Sequence, residues 1–327
     1  MRKKLLFALS LVAALALIGC SGRKTDANNV RVVLDWTPNT NHTGLYAALE
    51  KGWFADEGLS VELIQPPEDG ALLLLGSGKA EFAIDFQETM GPAIAKEREA
   101  LPVTAVAAII SHNTSGIMAL AGSGIKTPKN LEGKRFASWE TPLVTAIIKE
   151  IVESDSGNFN NVIMIPNFAT DAISALKTDI DAIWIYYAWD GVAAELSGID
   201  INFIDLRELN PLFDFYTPVI AANTNWLKAH PETAKKFLRA ASLGYSYAIA
   251  HPAEAAEILL KHAPELDRGL VMRSQEFLAA KYQDDAPRWG EIDSGRWGSF
   301  YRWMYGQGLL ENDIGSGGFT NEFLPQE

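Results

Sequence analysis

Within Asp181–Gly191, DAIWIYYAWDG, three large amphipathic aromatics crowd into four positions where an apolar run ends: Tyr186, Tyr187 and Trp189. The run Ala182–Ile185 reads as a buried parallel strand. In open α/β sheets ligands sit beyond the carboxyl ends of strands. Two readings stand side by side: a clamp for a flat ligand, or packing within and between lobes, the commoner fate of aromatics. Other stretches place polar or aromatic side chains at similar points. Leu34–Gly44 (LDWTPNTNHTG) leaves a first strand with Asp35 as an acceptor, Trp36 as a stacking face and the amides of Asn39 and Asn41. The same composition is ordinary turn chemistry. Asp85–Thr89 (DFQET) leaves a third strand and offers Glu88, either to read an amino group or to sit favourably at a helix N-terminus. Ser111–Gly116 (SHNTSG) offers Asn113 and Ser115, with His112 equally suited to a solvated loop. Trp139, in SWETP, ends a further strand, and Tyr216, in DFYTPV, lies beside a crossing strand; both also suit interdomain packing.

Several catalytic patterns fail. The run Leu75–Lys79 (LGSGK) has its preceding glycine at the wrong spacing for a phosphate loop, and Ala80 replaces the Ser/Thr. The five histidines form no HExxH pair, and no GxSxG elbow is present. No metal or cofactor is expected.

These residues need a frame. The chain has 327 residues, 48% hydrophobic and 21% charged, enough for about two domains with a sizeable core. Its net charge of −13, dispersed along the chain, argues against nucleic acid as a partner. Residues 1–19 join a basic start, Arg2, Lys3 and Lys4, to an apolar run too short to span a membrane comfortably. They read as a signal peptide. It ends in Leu17-Ile18-Gly19-Cys20, which resembles a bacterial lipobox, and Cys20 is the only cysteine. A diacylated Cys20 would anchor the chain to a membrane, and an intramolecular disulfide is impossible. Residues 20–29 then form a polar tether.

From Val30 onward strand and helix signals alternate, as in parallel α/β sheets. The expected architecture is two βα lobes with a hinge. Residues 30–120 and 220–315 form the first lobe, 121–219 the second, and 316–327 a flexible tail. The crossings would fall near Leu120–Thr127 and Phe215–Ala222, with the ligand in the cleft between lobes. A helix over about Gly295–Tyr305 carries Trp297, Phe300, Tyr301 and Met304 at core-face spacing. Those aromatics read as packing.

Five segments together are similar to the family of periplasmic-type binding proteins for thiamine-pyrimidine precursors: LDWTPNTNHTGLYAALEKGWF (34–54), IISHNTSG (109–116), DIDAIWIYYAWDG (179–191), YTPV (216–219) and KYQDDAPRWGE (281–291). The resemblance implies a type II periplasmic-binding-protein fold, an aminomethyl- or hydroxymethyl-pyrimidine ligand, and an ABC permease with its ATPase as partners. A flat aminopyrimidine would stack on Trp36, Tyr186, Tyr187 and Trp189. Asn39, His42, Glu88 and Asn113 would contact its edge, while Trp184, deeper in the strand, returns to core packing. The family also holds an enzyme branch, the fungal pyrimidine synthases. These carry a cysteine-rich cluster before the segment matching YTPVIAAN, and a lysine and a histidine where this chain has Asp85 and Thr89. Their iron and pyridoxal-phosphate chemistry therefore finds no support here. A GWGSP-like turn is usual where this chain has Ser138–Pro142, so Glu140 adds charge beside the cleft. The expectation is a lipid-anchored, extracytoplasmic, monomeric binding protein and not an enzyme. Its alternatives are a binder of another heterocycle such as riboflavin, or a pyrimidine-forming enzyme.

Overall fold

The computed structural model describes residues 28–138, 141–166 and 171–326. The leader, Cys20, Trp139 and Glu140 lie outside the described residues.

Ten strands are described, in chain order β1 (Asn29–Val33), β2 (Ser60–Ile64), β3 (Phe82–Asp85), β4 (Val103–Ala108), β5 (Ser115–Leu120), β6 (Arg135–Ser138), β7 (Ile163–Pro166), β8 (Ala182–Tyr186), β9 (Ile201–Asp205) and β10 (Val219–Asn223). They form two five-stranded sheets, ordered β2-β1-β3-β10-β4 and β7-β6-β8-β5-β9. In each sheet one strand runs against its neighbours: β10 is antiparallel to β3 and β4, and β5 to β8 and β9. Each of these is a strand by which the chain crosses between lobes. The first sheet is nearly continuous apolar sequence because helices cover both its faces; Val32, Val33, Phe82, Ala83, Ile84, Ala105 and Ile220 are fully buried.

The two lobes share a register lock. In the first, Arg31 N donates to Glu81 Oε2 at 2.7 Å and its guanidinium meets Oε1 at 3.2 Å. In the second, Arg135 N donates to Asp181 Oδ2 at 2.8 Å and its guanidinium meets Oδ1 at 3.3 Å. Each acid immediately precedes a central strand. It therefore aligns that strand's carboxyl end, where Asp85 or Tyr186 emerges.

Several expectations shift. The expected boundary at residue 120 falls too late: β5 pairs with β8 and β9, so the first crossing runs through 109–114. After the first loop come two helices, Thr43–Glu50 and Trp53–Asp56, separated at Gly52 with φ +78°. The tail expected to be flexible is seated. Ala105 N donates to Gly318 O and Thr320 N to Ala105 O, both at 2.9 Å, while Phe323 and Leu324 are buried. The C-terminal helix, Ser294–Gly306, buries Trp297, Phe300, Tyr301 and Met304 completely, as its spacing predicts.

The crossings are fastened by Asp214. Its Oδ1 accepts from Asn113 N at 2.9 Å, and its Oδ2 lies 2.8 Å from Arg296 Nη1 and 2.5 Å from His112 Nδ1. Arg296 also donates to Ser111 O at 2.7 Å and covers the Tyr216 ring at 4.0 Å. His112 is thus clasped rather than solvated, its Nε2 reaching Asp285 at 2.8 Å. The carboxylate of Asp214 raises its pKa, against burial and the neighbouring guanidinium.

The loop that carries Asp35 and His42 is held by the helix Thr43–Glu50, which packs on the helix Pro231–Ala250. A Cβ on Gly244 would lie 1.9 Å from Gly44 O. Gly244→Ala is therefore expected to force these helices apart, costing about 1–3 kcal/mol. An unchanged midpoint in a urea unfolding titration would contradict this.

Candidate ligand-binding cleft

Leu34 N donates to Ile64 O at 2.8 Å, carrying the parallel ladder to the point where Asp35 emerges. Beyond it the chain makes a 3-10 turn, Thr40–His42. Asn39 caps that turn, its Oδ1 accepting from Asn41 N at 2.9 Å, and its Nδ2 donates to Thr37 O at 3.1 Å. Asn39 N in turn donates to His42 Nδ1 at 3.2 Å. That places the imidazole proton on Nε2, which donates to Asp35 Oδ1 at 2.5 Å. His42 is wholly buried, so its work is to aim Asp35 rather than to meet a ligand.

At the end of β3, Asp85 Oδ1 accepts from Phe86 N at 2.8 Å and from the Thr89 hydroxyl. Burial pushes the Asp85 carboxyl up to about 6, and the charge of Asp35 adds to the rise. The next helix, Gln87–Ile94, begins with a buried anchor. Gln87 Nε2 donates to Trp297 O and its Oε1 accepts from Tyr216 N, both at 2.9 Å. Tyr301 donates its hydroxyl to Gln87 O at 2.9 Å. The C-terminal helix and the returning crossing segment thus fix the residue that precedes Glu88.

Glu88 stands on the first turn of the helix Gln87–Ile94. Its Oε1 accepts from Thr217 Oγ1 at 3.3 Å, whereas its Oε2 is buried with no hydrogen-bond partner. Burial, with Asp85 nearby, pushes its carboxyl up to about 8. From the second lobe, the Tyr186 hydroxyl reaches Thr217 Oγ1 at 3.4 Å. The Tyr186 ring lies nearly parallel to that of Phe86, at 19° with centroids 6.4 Å apart. Burial and Glu88 raise the Tyr186 hydroxyl further above its ordinary value. Beside this cluster opens a cavity of about 450 Å³, lined by Asp35, Asp85, Phe86 and Thr89 on one hand and by Asp69–Leu73 and Lys96 on the other. Trp36 follows Asp35 and is 49% exposed.

The structure thus brings together Asp35, Glu88 and Tyr186 from the residues expected in the site, with His42 and Asn39 as supports behind Asp35. It draws others elsewhere. Asn113 is used at the hinge, donating to Phe213 O at 2.8 Å and accepting from Ser115 N at 2.8 Å. Tyr216 is buried between Trp297 and Arg296, its hydroxyl accepting from Asp293 N at 2.7 Å. Tyr187 and Trp189 sit on a single π-helical turn, Tyr187–Gly191, that begins where β8 ends at Tyr186. Tyr187 packs on Phe203 and on Phe277 of the first lobe, and donates to Glu195 Oε1 at 2.6 Å. Trp189 packs against the buried cluster of Tyr46, Leu259 and Val271. Together with the Arg273–Glu195 pair at 3.3 Å, they dock the second lobe on the helix Arg268–Ala279. Trp184 is core, as expected. The sequence does not single out Phe86 or Thr217, and it marks Thr89 only as the position of the fungal branch's histidine.

The profile of the NMT1/THI5-like family matches residues 39–255. The chain belongs to that family. It is similar to the formylaminopyrimidine-binding protein of Halalkalibacterium halodurans, 29% identical over 93% of this chain and 94% of that one. It is also similar to the 4-amino-5-hydroxymethyl-2-methylpyrimidine phosphate synthase of Aspergillus parasiticus, 23% identical over 91% of this chain and 87% of that one. Among solved structures, the alkanesulfonate-binding protein SsuA from Xanthomonas axonopodis pv. citri superposes with a TM-score of 0.68 at 13% identity, covering 90% of this chain and 98% of that one. The fold is that of periplasmic binding proteins, α/β with two lobes.

The raised carboxyls make a stability statement. A carboxyl held above its unfolded value contributes stability below about pH 4.5, which is lost as pH rises through the folded value of about 8 for Glu88. In the empty protein, Tm should therefore fall more between pH 5 and pH 9 for the wild type than for Glu88→Gln. Parallel pH profiles would contradict the burial of an ionisable Glu88.

Proposed function

We propose that the protein captures a thiamine pyrimidine precursor, of the formylaminopyrimidine or hydroxymethylpyrimidine type, between its lobes and delivers it to an ABC permease driven by an ATPase. The observation that carries this is the unpartnered oxygen of Glu88, buried at the first lobe's strand ends and faced by Tyr186 of the second. A buried polar atom without a partner costs about 1–3 kcal/mol. A ligand edge that supplies the missing bond recovers it only when the lobes are together.

The chemistry of an aminopyrimidine meets each element. Its flat face stacks on Phe86 and Tyr186, in contacts that add about 0.5–1.5 kcal/mol beyond simple burial. Its nitrogen edge pairs with Glu88, and Asp35, oriented by His42, takes a further donor. Trp36 closes the rim. Because the ligand touches both lobes, it shifts the population toward the closed form that a permease would recognise. The end-to-end similarity to a formylaminopyrimidine-binding protein supports the same ligand class. We read the chain as a binding protein rather than an enzyme. Asp85 and Thr89 bind each other, where the fungal branch is implied to carry its catalytic lysine and histidine.

We further propose that the chain works outside the cytoplasm as a monomer tethered by lipidated Cys20. In this reading the lipid on Cys20 supplies the attachment; among the described residues no helix is long and apolar enough to cross a membrane.

Two measurements test the proposal. A thermal-shift screen should show a rise in Tm with formylaminomethyl-, aminomethyl- or hydroxymethyl-pyrimidine; a rise only with riboflavin or a sulfonate would overturn the ligand class. In cells, Cys20→Ser should abolish incorporation of labelled fatty acid and release the protein from the membrane fraction. Unaltered labelling would overturn the anchor.

A further inference from the structure

Three carboxyl groups, Asp35, Asp85 and Glu88, emerge from the strand ends of one lobe. Their hydrogen-bond commitments differ. Asp35 Oδ1 takes the His42 proton, and Asp85 Oδ1 takes Phe86 N and the Thr89 hydroxyl. Glu88 Oε1 ends a relay in which Tyr186 faces Thr217 and Thr217 donates to Glu88, while Oε2 makes no hydrogen bond of good geometry, with the Tyr186 hydroxyl close enough to bear on the same carboxyl. The cation on the cavity wall, Lys96, lies beyond the C-terminal end of the helix whose first turn carries Glu88.

Ionising all three carboxyls in this space would set like charges together out of water, and such groups keep a proton instead. Glu88 is the one with an oxygen free to hold it. The Thr217 hydroxyl donates to Oε1 and marks it as the carbonyl oxygen, which leaves the proton on Oε2. A carboxylic acid in that setting offers a donor beside an acceptor. Its complement is a ring nitrogen acceptor beside an amino donor, the amidine-like edge of a 4-aminopyrimidine. A carboxylate would offer two acceptors and leave the ring nitrogen's lone pair facing negative charge.

Building on the proposed function, we propose that Glu88 is the specificity-determining residue of the cleft and that the complex holds one proton between Glu88 Oε2 and the ligand's ring nitrogen. The protein therefore captures its ligand together with a proton, and selects heteroaromatics that present an acceptor nitrogen next to an amino group.

Calorimetric titration of the full-length mature protein with 4-amino-5-hydroxymethyl-2-methylpyrimidine, from pH 7 to pH 9.5, tests this. Over that range the free 4-aminopyrimidine stays essentially neutral, so a pH effect reports the protein. With the Glu88 carboxyl near pH 8, wild-type affinity should fall about thirtyfold by pH 9.5, approaching tenfold per pH unit. Glu88→Gln keeps a donor beside an acceptor and has no proton to lose, so its affinity should be level with pH. Glu88→Ala should bind at least tenfold more weakly than the wild type at pH 7. Circular dichroism at each pH confirms that the folded protein is being titrated. A wild type that binds equally well across the range overturns the shared proton and leaves the proposed function standing. So does a Glu88→Gln protein that keeps the pH-dependent fall or loses binding altogether. A wild type that binds no aminopyrimidine at any pH overturns the proposed function and this inference with it.

Discussion

Taking a carboxyl group out of water without a counter-charge is among the costlier things a fold can do, and this one does so at Asp85 and Glu88. Much of the surrounding architecture follows from keeping those groups where they are. The Arg31–Glu81 lock sets the register that ends β3 at Asp85. Gln87, held from the crossing segment and from the C-terminal helix, fixes the turn that aims Glu88. The wholly buried faces of Trp297, Phe300 and Tyr301 make that helix a rigid support. An acid in an apolar setting is useful only if it cannot relax toward solvent.

The hinge answers a different demand. Two segments connect the lobes, and both must bend without drifting apart. Asp214 meets this by accepting from Asn113 N on one crossing segment while pairing with Arg296 from the first lobe's last helix. Tyr186 and Thr217 lie just beyond this point, so the second lobe meets the Glu88 carboxyl through the Thr217 hydroxyl. Tyr187, Trp189 and Glu195 meanwhile dock the second lobe on the helix Arg268–Ala279, so that both flanks of the lobe define its position.

The alternating pattern of apolar strands and helices made the two-lobe fold legible, and strand ends marked Asp35, Glu88 and Tyr186. What the pattern does not carry is direction. Tyr186, Tyr187 and Trp189 look equivalent in sequence, but a π-helical turn separates the first from the other two. Asn113 and Asn39 have the amide chemistry of ligand contacts, yet that chemistry is used up on backbone groups of the hinge and the 3-10 turn. β5 was assigned to the wrong lobe because pairing partners distant in sequence leave no local trace. The seated tail rests on Phe319, Phe323 and Leu324, apolar residues too irregularly placed among polar neighbours to show a period. The roles of Thr89 and Thr217 as donors to buried acids depend on burial, which single hydroxyl residues do not announce.

The position of β10 has a consequence in time. It lies between β3 and β4, and among the described strands β4 has no other partner in its sheet. The first lobe's sheet therefore stays split until residue 223 is available, and its edge is finished only when Phe319 pairs beside Ala105. Contacts so distant in sequence make for late, slow closure. The second lobe's sheet, by contrast, has all its strands once residue 205 is present, so closure that waits on distant segments is confined to the first lobe.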